Sequence, residues 1–152
     1  MHPTRFLRAF LVSFVLFALL DAFWHGNFMA GFYGQRLLVL NPSLAGVNLS
    51  FSPFILFVEA INAVALSYFV LSHKQCGKSL GDIVWIGALL GFTVTGTVNF
   101  LNHALMTRWD IMIALVDTAW GTASGIVTAL AVATTCAEPQ KAKGNFGFQK
   151  RA

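Results

Sequence analysis

Apolar residues in this chain come in four long blocks, at positions 6–24, 51–71, 83–103 and 111–135, each interrupted by only a few polar side chains. Each block approaches the roughly 20 residues that a helix needs to cross a bilayer. The pattern predicts an all-α integral membrane protein, a four-helix bundle. The first block follows Arg5 and Arg8, as in a signal peptide. No A-x-A-like site follows it, however, and it runs straight into Asp21-Ala-Phe-Trp24-His25-Gly26, so we read it as a retained span. Positions 28–40 place Tyr33, Gln35 and Arg36 among Phe32, Leu37, Leu38 and Leu40. This amphipathic, aromatic run predicts an interfacial or re-entrant segment in the first outer loop. Asn41-Pro42-Ser43 then predicts a turn. The transmembrane domain is assigned to 1–137. Positions 138–152 lack periodicity and read as a basic, disordered cytoplasmic tail suited to anionic headgroups.

Composition removes the soluble alternatives. Of 152 residues, 57% are hydrophobic and only 11% charged, whereas a soluble domain carries about 25% charged residues. Disorder needs few apolar residues and high net charge, the opposite of this chain. The net charge of +4 would favour nucleic acid in a soluble domain. Here the basic residues sit at span ends, so the expected partner is the lipid bilayer and no nucleic acid is expected. Arg5, Arg8, Lys74, Lys78, Lys141, Lys143, Lys150 and Arg151 fall on one side, and Arg36 and Arg108 on the other. That bias predicts a bacterial inner-membrane protein with both termini cytoplasmic. Cys76 and Cys136 fit no metal or CxxC spacing and read as unpaired thiols.

Polar residues inside the spans carry the chemical lead. Asp21 lies near the outer end of the first span, with Trp24 and His25 three and four positions on. Glu59 and Asn62 share a face of the second span. Asn99, Asn102 and His103 repeat the same spacing in the third. Asp117 and Trp120 occupy the outer half of the fourth span. A charge at the bilayer centre costs about 2.5–3.5 kcal/mol on insertion scales. Three carboxyl groups must therefore face the bundle and find partners. Asp21, Trp24, His25, Glu59, Asn62, Asn99, Asn102, His103, Asp117 and Trp120 are the candidate binding residues, converging in one outward-half pocket. His25 and His103 are the expected partners of Asp21 and Asp117, with Arg36 and Arg108 able to fold inward. Read singly, the asparagines are interhelical glue and the tryptophans interface anchors.

Two patterns concern packing. Gly87-x-x-x-Gly91 and the ladder Asp117, Gly121, Gly125, Ala129, Ala133 allow close helix approach, against either a sister helix or a second copy. Gly96 and the threonines around it read as packing too. Asp21-x-x-Trp24 is also echoed by Asp117-x-x-Trp120 on the same membrane side, so no inverted repeat is inferred.

No phosphate-binding, dinucleotide or metalloprotease motif appears, and no catalytic residue is assigned. His25, His103, Asp21 and Asp117 have donor types suited to zinc or iron, and the two histidines to haem. Helix-level placement alone supports either, so no metal ligand or cofactor is assigned. The leading reading is binding or transport of a small molecule, proton or lipid; four helices seldom enclose a path, so transport calls for a homodimer. The alternative is a non-catalytic accessory or assembly subunit of a larger membrane complex. An acid–base enzyme ranks third.

Four motifs in order, Leu20-Asp21-x-x-Trp24-x-Gly26, Phe32-Tyr33, Leu101-Asn102-x-Ala104-Leu105 with Trp109, and Asp117-x-x-Trp120-Gly121, resemble the bacterial membrane proteins catalogued as domain of unknown function 2177. The resemblance reaches to about Ala133. It implies a four-helix inner-membrane protein and no established activity. Where that family often has a Tyr-Asp pair, this chain has Val98 and Asn99, and Glu59 stands outside the family pattern.

Overall fold

The computed structural model describes residues 2–40 and 52–136. The turn expected at 41–43 and the tail expected at 138–152 lie outside the described residues. Five α-helices follow in order: α1 (Pro3–Phe23), α2 (Ala30–Leu40), α3 (Pro53–Gln75), α4 (Leu80–Leu105) and α5 (Ile111–Thr135). A π-helical turn, Trp24–Phe28, links α1 to the short α2. There is no strand among the described residues. The four long helices are each long and apolar enough to cross a membrane. At about 1.5 Å per residue, even the shortest exceeds a hydrocarbon core of roughly 30 Å.

The helix boundaries have local causes. Pro3 and Pro53 open α1 and α3, where the missing N–H is no loss. Ser79 and Asp82 form a reciprocal capping box at the start of α4, with Asp82 Oδ2 accepting the Ser79 N–H at 2.8 Å and Ser79 Oγ accepting the Asp82 N–H at 3.2 Å. Gly77, at φ 74°, makes the left-handed step between α3 and α4. Asp110 caps α5, accepting the Met112 N–H at 2.8 Å. The fourth span coincides with its sequence expectation. The second runs on through Gln75, past the apolar limit at 71, because hydrogen bonding continues beyond the hydrocarbon where the side chains turn polar.

α4 and α5 pack backbone to backbone. A Cβ on Gly87 would stand 2.5 Å from the Gly125 carbonyl oxygen and 2.9 Å from Ala129 Cβ. One on Gly91 would strike the Gly121 carbonyl. The small-residue ladder therefore faces the sister helix. At one end of the bundle Ala9, Val70, Ile83 and Val132 are wholly buried and form a continuous apolar core. Ser13 and Ser67 share a buried hydrogen bond of 3.0 Å between α1 and α3. Outside, Leu7, Leu11, Val15 and Leu19 form an exposed stripe along α1, and Phe54, Phe57 and Ile61 do so on α3. Stripes of this kind suit contact with lipid rather than water.

Candidate functional site

The other end of the bundle is built differently. Asp21 lies in the last turn of α1, Glu59 early in α3, Asn99 late in α4 and Asp117 early in α5, so alternating chain direction brings all four to one end. The π turn places Trp24 and His25 beside them. The Met29 N–H, donating to the Trp24 carbonyl at 2.7 Å, closes the π turn, and α2 then brings Tyr33 into the bundle, where it is buried.

Asp117 is the hub. Its Oδ1 accepts from His25 Nε2 at 2.9 Å and from the Tyr33 hydroxyl at 3.0 Å; its Oδ2 accepts from Asn99 Nδ2 at 2.8 Å. His25 Nδ1 faces the Asp21 carbonyl oxygen at 3.2 Å. Both imidazole nitrogens thus face acceptors: a neutral ring donates to one of them, and an imidazolium would donate to both. Burial, with the Asp117 carboxylate beside it, pushes the Tyr33 phenol up, so Tyr33 remains a donor.

The two tryptophans tie the halves together. Trp24 and Trp120 stack nearly parallel, with centroids 4.3 Å apart and planes 3° apart. Trp120 Nε1 donates to Asp21 Oδ1 at 2.7 Å, and Trp24 Nε1 donates to the Tyr33 oxygen at 3.1 Å. Trp120 of the Asp-x-x-Trp echo thus reaches the other motif's carboxylate directly, whereas Trp24 reaches Asp117 only through the Tyr33 hydroxyl.

Beside this network lies a cavity of about 720 Å³. Asp21, His25, Glu59, Asn62, Asn99, Asp117 and Trp120 form its polar part, and Phe17, Leu37, Ile55, Leu66, Leu90 and Val94 are among its apolar walls. Glu59 is buried, at 6% exposure, and faces the Asp21 carboxyl group and Asn62. Val58 and Val98 line the cavity yet are 48% and 54% exposed. Within the described residues the cavity is thus open to the outside beside these positions of α3 and α4.

Residues 6–135 match a family whose description reads "Predicted membrane protein (DUF2177)". The chain belongs to this family. No curated protein and no solved structure matches it.

In this DUF2177 member, Asp21, His25, Glu59, Asn62, Asn99, Asp117 and Trp120 line the cavity, and Trp24 stacks behind Trp120. Asn102 and His103 stand apart. His103 is exposed, one turn nearer the α4–α5 loop, and its Nδ1 meets the Trp109 carbonyl oxygen at 2.8 Å. Arg36 does not turn inward; its Nε donates to Asp110 Oδ2 at 2.7 Å, holding α2 to the start of α5. Arg108 is exposed. Among the described residues, no group of three or more His, Cys, Asp or Glu is arranged to hold a metal ion. Sequence reasoning passed over Tyr33 as a site residue. Its signal was the Phe32-Tyr33 motif inside an amphipathic run, read there only as part of an interfacial or re-entrant segment.

Proposed function

We propose that this family member is a bacterial inner-membrane protein, with both termini cytoplasmic, that binds or moves a small amphiphilic molecule entering from the lipid phase. The cavity between α3 and α4 carries this reading. It combines apolar walls with a few convergent polar groups, and about 720 Å³ lies within the roughly 300–1,000 Å³ typical of small-ligand pockets. Its polar end would take the head of the molecule and its lateral opening the apolar part. The excess of basic residues at the opposite end supports an outward-half location for the polar cluster.

Gly34 supplies the test. It lines the cavity, and a Cβ there meets nothing within 4 Å. Gly34→Leu adds bulk to open space and suits a helix better than glycine. Native mass spectrometry of protein purified in mild detergent should show a bound amphiphile of defined mass on the wild type and its loss from Gly34→Leu, with folding intact. Equal occupancy of both proteins, or none of either, would overturn the reading. Stable co-purification of a foreign protein in place of the amphiphile would favour an accessory subunit.

A further inference from the structure

Resting on the cavity just proposed as a binding site, we infer that α2 is a movable cover over its polar end, hinged at the π turn and latched to α5 by Tyr33 and Arg36. The lining residues lead there. Ala30, Tyr33, Gly34, Leu37 and Leu38 line the cavity, and their spacing of three and four places them on one face of α2. That face lies over open space instead of packing into another helix. A Cβ on Gly34 meets nothing within 4 Å, and Tyr33 is the one fully buried residue of α2. The helix contacts of α2 run chiefly to the π turn before it, unlike the glycine seam that joins α4 to α5.

Two polar bonds hold α2 down. The Tyr33 hydroxyl donates to Asp117 Oδ1 at 3.0 Å, and Arg36 Nε donates to Asp110 Oδ2 at 2.7 Å. Asp110 caps α5 and Asp117 lies two turns into it, so both latches end on one helix. The remaining partners of Tyr33 belong to the hinge: Trp24 Nε1 donates to its oxygen at 3.1 Å, and the His25 ring tilts against it with centroids 4.6 Å apart. Met29, at φ −112° and ψ 14°, breaks the helical geometry after the π turn, so α1 and α2 are not one rigid rod. π turns of this kind recur at functional sites. A helix as short as α2 is marginal by itself, and its apolar face covers a void, so no packing replaces the latches once they are lost. Lifting α2 gives the polar end a path to water in addition to the opening beside Val58 and Val98, and lets a polar head exchange there.

The test is access from water to Ser124, which lines the cavity and is 4% exposed. Full-length Ser124→Cys, with Cys76→Ser and Cys136→Ala, is placed in phosphatidylcholine nanodiscs, whose lipid seals the opening beside Val58 and Val98. A cationic, membrane-impermeant methanethiosulfonate should label it slowly while the latches are intact. Tyr33→Phe and Arg36→Ala should each speed labelling about 3-fold, as for loss of one interhelical hydrogen bond, and together about 8-fold. Ser13→Ala, which removes the buried bond to Ser67 at the closed end, should leave the rate unchanged. Equal rates with and without both latches, an equal gain from Ser13→Ala, or labelling of the latched protein as fast as the exposed native Cys76 would overturn the cover. Each of these leaves the amphiphile reading standing, because the mass bound to the wild type decides that. Faster labelling of the unlatched protein, with no amphiphile on the wild type, would retain the cover and remove the amphiphile. Should Ser124→Cys fail to insert, hydrogen exchange decides: Tyr33→Phe should raise exchange in α2 and not in α4 or α5, and a rise in all three or in none would overturn the cover.

Discussion

The two ends of the bundle use the same four helices for opposite purposes. At one end Ala9, Val70, Ile83 and Val132 close on one another with no exposed surface. At the other, α4 and α5 are still in backbone contact at Gly91 and Gly121, but the bundle surrounds a cavity of about 720 Å³, and helices are joined across it by hydrogen bonds to Asp117 and Asp21. Inside lipid, burying an apolar side chain gains little over leaving it in the acyl chains, so the closed end rests on van der Waals contact. The open end rests on polar bonds that fix orientation without filling space. A helix bundle can therefore be rigid at one end and hollow at the other without any change of element.

Substitutions separate the two ends, and the largest effect belongs to the closed one. Ile83→Ala leaves a void that the packed neighbours cannot fill and should cost about 2 kcal/mol or more, read as a lower melting temperature in detergent. Val98→Ala, on the cavity rim, should cost far less in the same assay. Next comes Asp117→Asn. With interhelical hydrogen bonds averaging about 0.6 kcal/mol each, loss of the charge shared by three donors should cost up to about 2 kcal/mol. It should also raise hydrogen exchange in α2 as Tyr33 is released. A melting loss without change in α2 would contradict the hub. Gly34→Leu should be neutral or stabilising by up to about 1 kcal/mol, because its side chain enters open space.

The smallest effect is on pH. The Met112 N–H that Asp110 accepts, with Arg36 beside it, holds the Asp110 carboxyl below the usual carboxylate range. A carboxyl lowered in the folded state contributes stability that is present above its unfolded value of about 3.9 and is lost as pH falls through the folded value. Exchange in α2 should accordingly rise only on strong acidification, and Asp110→Asn should show the raised exchange already at neutral pH.

Much of this architecture is legible in the sequence. The α5 boundaries follow from the Asp110 cap and the apolar run behind it. The ladder Gly121, Gly125, Ala129 announces a close seam, although only the structure identifies α4 as its partner. The convergence of Asp21, Glu59, Asn99 and Asp117 follows from alternating helix direction. Helix-face reasoning gives rotation and leaves height open, and His103 illustrates the gap. It shares a face with Asn99, yet one turn, about 5.4 Å, carries it past the site to the loop. The π turn at Trp24–Phe28 has no hydrophobic signature, since its extra residue per turn changes hydrogen bonding and not side-chain polarity. Tyr33 was hidden for a related reason: an aromatic residue in an amphipathic run looks the same whether it anchors at the interface or reaches back to a buried carboxylate.

The central claim, that the open end of the bundle holds an amphiphile, is tested most directly by a density map of the wild-type protein in lipid nanodiscs. The account predicts an elongated feature between α3 and α4, reaching from the lipid-facing surface to Asp21 and Glu59. A cavity filled by the protein's own side chains, or by ordered water alone, would contradict it.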